Sequence, residues 1–185
     1  MRKTTIAILM ILVASNATAK QNVMFANDTE NSVTIYVGQS TGKGTLFKLV
    51  DPFLWDIHPQ TMIMAQYSQP IEIFRLPSRI NFNIIQNIGY ESSKRLSFIG
   101  GGISWDTALL NWRGFYTGFG VGPYYRDTID RWVASRLVFG EKFFIGKNIS
   151  DKWRGEFFTL HFSNGDFTKP NHGFNFFGLG LNYSF

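Results

Sequence analysis

His161 and Ser163 stand two residues apart in the segment 152–163. On an extended strand that spacing puts both side chains on one face, with Cα atoms roughly 7 Å apart. Their side chains can close that gap to a hydrogen bond, the arrangement in which an imidazole base activates a serine nucleophile. If the chain reverses around residues 167–169, Asn175 returns opposite His161 on the same face and offers an acceptor to orient the ring. A His-x-Ser pair also arises by chance, and an interfacial histidine beside a small residue at a strand end is the plainer alternative. The chain has no cysteine, which excludes a thiol nucleophile, a disulfide framework and cysteine-ligated metal. His58, His161 and His172 form no ligand cluster with a carboxylate behind it, so no metal is inferred. No glycine-rich loop follows a strand and opens a helix, so no nucleotide cofactor is inferred either.

A sheet must position these residues. With 44% hydrophobic and 17% aromatic residues the chain is too apolar for disorder, and 185 residues allow one domain. A mean hydropathy of -0.06 is too polar for a bundle of membrane helices. The start, Met1-Arg2-Lys3, then an apolar run from Ile6 to Val13, then Ala17-Thr18-Ala19, reads as a signal peptide over residues 1–19. Its apolar core is shorter than the roughly 20 residues a spanning helix needs. Loss of Arg2 and Lys3 leaves 16 basic against 13 acidic residues, or +3, too little to argue for nucleic acid. Two classes remain: a soluble periplasmic β protein, such as a lipid carrier, and an outer-membrane barrel.

Alternation favours the barrel. Phe177, Leu179, Leu181, Tyr183 and Phe185 alternate with Gly178, Gly180, Asn182 and Ser184. Large groups thus face one way, toward lipid, and small or polar groups face a narrow lumen. Phe115, Thr117, Phe119 and Val121 repeat the pattern against glycines, as do Ile80, Phe82 and Ile84 against Asn81 and Asn83. Strands are expected near 32–41, 60–74, 79–91, 94–104, 113–126, 132–146, 152–163 and 174–185. The fold expected is therefore all-β, an eight-stranded antiparallel transmembrane barrel over 32–185, preceded by a periplasmic segment over 20–31. Arg136 and Lys142 should meet Glu156 in the lumen, where an unpaired charge would be costly. Gly100-Gly101-Gly102 reads as a lumen-facing bend. With both ends periplasmic, the connection 164–173 sits at the cell surface. The surface connections look short, against a non-enzymatic structural or adhesive barrel with long binding loops. The terminal Phe185 resembles the signal such barrels present to the outer-membrane assembly machinery. A homodimer is left open.

The stretch His161-Phe162-Ser163-Asn164, followed by Pro170-Asn171-His172-Gly173, resembles the signature of the PagL-type lipid A 3-O-deacylases (acyloxyacyl hydrolases) in spacing and in distance from the C-terminus. The resemblance extends loosely to Gly118-x-Gly120-x-Gly122. It implies an outer-membrane serine esterase of a Gram-negative bacterium that removes the ester-linked 3-position hydroxyacyl chain of lipopolysaccharide without a cofactor. By that resemblance Ser163 is the nucleophile and His161 the base, while Asn164, Gly165 and Asn171 hold the oxyanion or position the substrate. The family carries glutamate two residues after the motif glycine, where this chain has Asn175. An amide orients imidazole but supplies no charge to imidazolium. The departure implies a slower enzyme, a different acid such as Asp166, or a disabled homologue.

Overall fold

The computed structural model describes residues 30–49, 51–90 and 95–185. The expected signal peptide and most of the segment 20–31 lie outside the described residues.

Period-two patterning produces eight strands: β1 (Ser32–Ser40), β2 (His58–Ile73), β3 (Leu76–Gly89), β4 (Phe98–Trp112), β5 (Phe115–Arg126), β6 (Leu137–Asn148), β7 (Trp153–Ser163) and β8 (Phe174–Ser184). Each pairs with the next, and β8 closes on β1, giving an antiparallel outer-membrane-type barrel with no free edge. Leu179, Leu181, Ile84, Val121 and Ile145 point outward and are exposed, an apolar outer wall suited to lipid. That orientation excludes a carrier with its apolar face inside.

The two ends of the barrel differ. At one end the hairpins are tight. Phe74 and Arg75 connect β2 to β3, and Arg113 and Gly114 connect β4 to β5, each pair at positive φ as a twisted two-residue hairpin requires. Trp153 and Tyr183 pack together at this end, tilted, with ring centroids 4.9 Å apart, in the manner of an interfacial aromatic belt. The other end carries the connections 41–57, 90–97, 127–136 and 164–173. The first holds a helical turn, α1 (Leu46–Leu49), and a 3-10 turn at Pro52–Leu54. Its length is close to that left between the expected strands, and the two helical turns are the new feature.

The lumen is filled. Tyr36, Tyr116, Phe144, Phe158 and Met64 pack inward, and inward glycines make room for the rings. A Cβ at Gly180 would stand 2.5 Å from the Tyr36 ring, and one at Gly146 would stand 2.1 Å from Tyr116. Among them lie the cations Arg79, Lys142 and Arg154 and the carboxylates Asp106 and Glu156. Arg79 donates to Asp106 at 2.8 Å and to Glu156 at 3.1 Å. Lys142 donates to Asp106 at 2.7 Å and to Gln66 at 3.1 Å. The Tyr36 and Tyr116 hydroxyls donate to Glu156 at 2.5 and 2.8 Å.

This corrects the expected pairing. Glu156 is held by Arg79, Lys142 turns to Asp106, and Arg136 is exposed in the connection before β6. The two largest shifts of strand boundary, at the end of β4 and the start of β6, have related reasons. β4, expected to end near 104, runs on to Trp112 through Asp106, a buried partner for two cations. β6 starts at Leu137, because Trp132 and Val133 are buried within a surface connection rather than on the wall. Gly100-Gly101-Gly102 lies within β4, paired in unbroken register with Asn83–Ile85 of β3 rather than marked by a break.

Candidate functional site

β7 reaches the loop-bearing end at Ser163, and β8 returns from it at Phe174. The β7–β8 register sets His161 directly opposite Asn175, as the expected turn required. His161 Nδ1 and Asn175 Oδ1 are 2.6 Å apart. An amide oxygen only accepts, so the ring proton belongs on Nδ1 and Nε2 keeps its lone pair. The other end of the amide donates to the Thr45 carbonyl at 3.4 Å, which fixes its sense. Ser163 lies two residues beyond His161 on the same outward face, half-buried at the rim.

The connection 41–57 folds down over this part of the wall. Thr41 N–H donates to the Asn175 carbonyl at 2.9 Å, and Asn175 N–H donates to the Gly42 carbonyl at 3.1 Å. Trp55 packs on Phe177, centroids 4.5 Å apart. His161 is consequently only 5% exposed and Asn175 fully buried, although both face outward from the barrel. Gly173 makes this fit possible. Its φ is +64°, and a Cβ there would lie 2.5 Å from His161 Cε1 and 2.7 Å from the Gly44 carbonyl. Beside Thr159, one outward position below His161, the wall and the connection enclose a groove of about 290 Å³ with Trp55, Phe143 and Phe157 among its lining.

The connection 164–173 brings Asn164 and Asn171 together. Asn164 N–H donates to Asn171 Oδ1 at 3.0 Å, and the Asn164 side chain donates to the Thr168 carbonyl at 2.9 Å. Gly165 and Asp166 follow, both at positive φ and both exposed. Asp166 is turned to Lys169 at 2.8 Å and to Asn171 Nδ2 at 2.9 Å, so the geometry pairs His161 with Asn175 rather than with this acid. Those bonds, Lys169 first, hold the Asp166 carboxyl below its ordinary value.

A second connection braces the first. Val133 bridges Asn171, His172 N–H donates to the Trp132 carbonyl at 2.7 Å, and Ala134 N–H donates to the Pro170 carbonyl at 2.9 Å. Arg126 anchors this brace. Its guanidinium lies between the Phe98 and Phe174 rings, pairs with Asp130 and donates to the Ser135 carbonyl at 2.9 Å. His58 sits apart from the site's imidazole, 3.3 Å from Asp56 and edge-on to Trp132.

Sequence reasoning missed three contributors. The carbonyls of Gly42 and Thr45 carry no side-chain signal, and no motif could have revealed them. Glu141, opposite His161 in the β6–β7 register, was legible as a charge at outward parity between Phe139 and Phe143.

The family model described as lipid A 3-O-deacylase (PagL) matches residues 78–184. Among solved structures, the crystal structure of the outer membrane enzyme PagL is similar with a TM-score of 0.58 at 13% identity, over 83% of this chain and 99% of that one. The crystal structure of Neisserial surface protein A is similar with a TM-score of 0.52 at 10% identity, over 84% and 97%. At such identities these likenesses speak to the barrel fold. No curated protein sequence matches the chain.

Proposed function

Because the chain belongs to the lipid A 3-O-deacylase (PagL) family, we propose that it is an outer-membrane serine esterase of a Gram-negative bacterium, removing the 3-position hydroxyacyl chain of lipid A. The observation that carries the reading is the His161–Asn175 hydrogen bond with Ser163 beside it on the outward face. A lipid ester in the outer leaflet reaches that depth by lateral diffusion, and the groove beside Thr159 suits an acyl chain.

In this reading His161 Nε2 takes the Ser163 hydroxyl proton as Oγ attacks the ester carbonyl. The tetrahedral intermediate collapses by breaking the bond to the 3-oxygen, which receives the proton from His161. Water, deprotonated by His161, then releases the hydroxyacyl chain as a carboxylic acid and restores Ser163. Asn175 keeps the imidazole in the tautomer the first step needs. Donors at the turn after Ser163 would stabilise the oxyanion. The Asn164 N–H is engaged by Asn171, so Gly165 N–H and a rotated Asn171 amide are the groups assigned to it.

A second reading, a barrel that has lost its reaction, is favoured by one observation: an amide stands where the family has a carboxylate. Purified protein, reconstituted with lipopolysaccharide, separates the two. Release of free 3-hydroxy fatty acid, abolished by Ser163→Ala, is the expected result. No release from the correctly assembled parent supports the second reading.

A further inference from the structure

Asn175 leaves the imidazolium of the proposed reaction without the carboxylate that a triad acid provides. The β6–β7 ladder holds a carboxylate on the other side of the same ring. Glu141 is the direct cross-strand partner of His161, as Asn175 is on β8. All three have outward parity, so Glu141, His161 and Asn175 form one row across β6, β7 and β8. Directly opposed residues on one face have Cβ atoms about 5 Å apart. Glu141 is half-buried, and it interrupts the aromatic stripe of Phe139 and Phe143. A carboxylate on the outer wall of a barrel is not there for packing, and its other cross-strand partner, Val121, supplies no cation. Lys142 faces the lumen, where it is paired with Asp106.

We propose that this chain divides the work of the triad acid between two residues: Asn175 orients His161, and Glu141 supplies the negative charge that stabilises its protonated form. Glu141 is a positioning residue in the electrostatic sense, acting on the reaction through His161. The division is physically reasonable. Orientation requires a short, directed hydrogen bond, which Asn175 makes. Charge stabilisation acts through space and requires only proximity at low effective dielectric. In the resting state no direct ion pair is needed, because the ring is neutral. The field of Glu141 acts when the proton arrives from Ser163, and it weakens when the proton passes to the leaving oxygen.

The other charges around the ring do not substitute for Glu141. β8 contributes Asn175 and no charge. The connection 41–57 contributes Lys43 and Lys48, which oppose imidazolium. The connection 164–173 contributes Asp166, already paired with Lys169, and the exposed His172. Glu141 is therefore the one uncommitted carboxylate placed against His161 among the described residues.

The catalytic consequence rests on the esterase reading, and the test is arranged so that the two can fail separately. Parent, Glu141→Gln, Asn175→Asp and the double variant are compared in reconstituted membranes by kcat against pH on lipopolysaccharide. In parallel, ¹⁵N-histidine NMR of the same proteins follows the His161 ring, with His58→Gln and His172→Gln leaving a single signal. Glu141→Gln is expected to lower kcat about tenfold, the equivalent of about one pKa unit. The acid limb and the His161 titration should both move to lower pH, since removing a negative neighbour disfavours imidazolium. Asn175→Asp, which keeps the side-chain size, should restore rate and titration in the Glu141→Gln background. A merely structural role would not produce that rescue. An unchanged His161 titration in Glu141→Gln overturns the proposal, as does a rate loss that Asn175→Asp leaves uncorrected. If the parent proves inactive while the titration still moves and is restored, the esterase reading fails and the charge coupling stands.

Discussion

Two groups of polar residues share β6 and β7, and they face opposite ways. Inside, Arg79, Lys142, Asp106 and Glu156 cancel in charge, are exposed by 4% or less, and are tied by tyrosine hydroxyls and Gln66. Outside, His161, Asn175, Glu141 and Ser163 make one short hydrogen bond among them, and a connection rather than the wall covers the His161–Asn175 pair. The inner group is closed: every charge has its partner, and nothing is left to react. The outer group is open: it keeps a basic nitrogen, a hydroxyl and an unshared carboxylate. Strand parity alone separates them, since Lys142 and Glu141 are adjacent in sequence. Polar residues in a barrel wall acquire their role from the face they occupy.

The contrast predicts that outer substitutions alter chemistry with little effect on assembly, and inner ones the reverse. The largest effect falls on the reaction. Ser163→Ala and His161→Ala should each abolish deacylation, by at least about 10³-fold, while heat-modifiable mobility on a gel stays normal. Loss of the folded band in both would move these residues into the structural group. Next comes the inner quartet. Asp106→Ala leaves Arg79 and Lys142 short of a partner and should destabilise the barrel by about 3–5 kcal/mol, read as a lower urea midpoint, with little change in rate per folded molecule. An Asp106→Ala barrel as stable as the parent would mean that the lumen charges are solvated rather than paired. Leu181→Arg, on the lipid face away from both groups, should cost about 2–4 kcal/mol and impair assembly. Normal membrane insertion of that variant would contradict the assigned outer face. Asn175→Ala frees the ring and should lower kcat by about 10–100-fold, as loss of a partner that orients a reacting imidazole does. The smallest effect belongs to Asp166. Its pair with Lys169 is exposed, so Asp166→Ala should change the rate by less than about fivefold at neutral pH. Because the folded carboxyl titrates below its ordinary value, this contribution is present at neutral pH and lost only as pH falls through that lowered value. A rate drop above pH 5 traceable to Asp166 would make it the acid that Asn175 replaced.

Much of the barrel was legible because period-two patterning is strong where one face meets lipid. β5 and β8 read correctly from their large-and-small alternation, and β3 from its isoleucines and asparagines. Legibility failed where a polar residue inside the wall resembles a turn, as Asp106 does, and where buried apolar residues belong to a connection, as Trp132 and Val133 do. Pairing within the lumen was not readable either. Which cation reaches Glu156 depends on strands distant in sequence, and Arg79 is 77 residues away from it. At the site, the opposition of His161 and Asn175 followed from the turn length. The covering connection 41–57 did not, because it acts through backbone carbonyls.

Whether the outward group performs chemistry is written in the mass of the lipid A around it. Lipid A would be extracted from a Gram-negative host that lacks 3-O-deacylation and expresses either the parent or Ser163→Ala at equal outer-membrane levels, and its mass measured. Lipid A from the parent should be lighter by one 3-hydroxyacyl chain, and lipid A from Ser163→Ala should have the host's full mass. Lipid A of full mass from both strains, with the parent correctly assembled, would contradict the esterase reading.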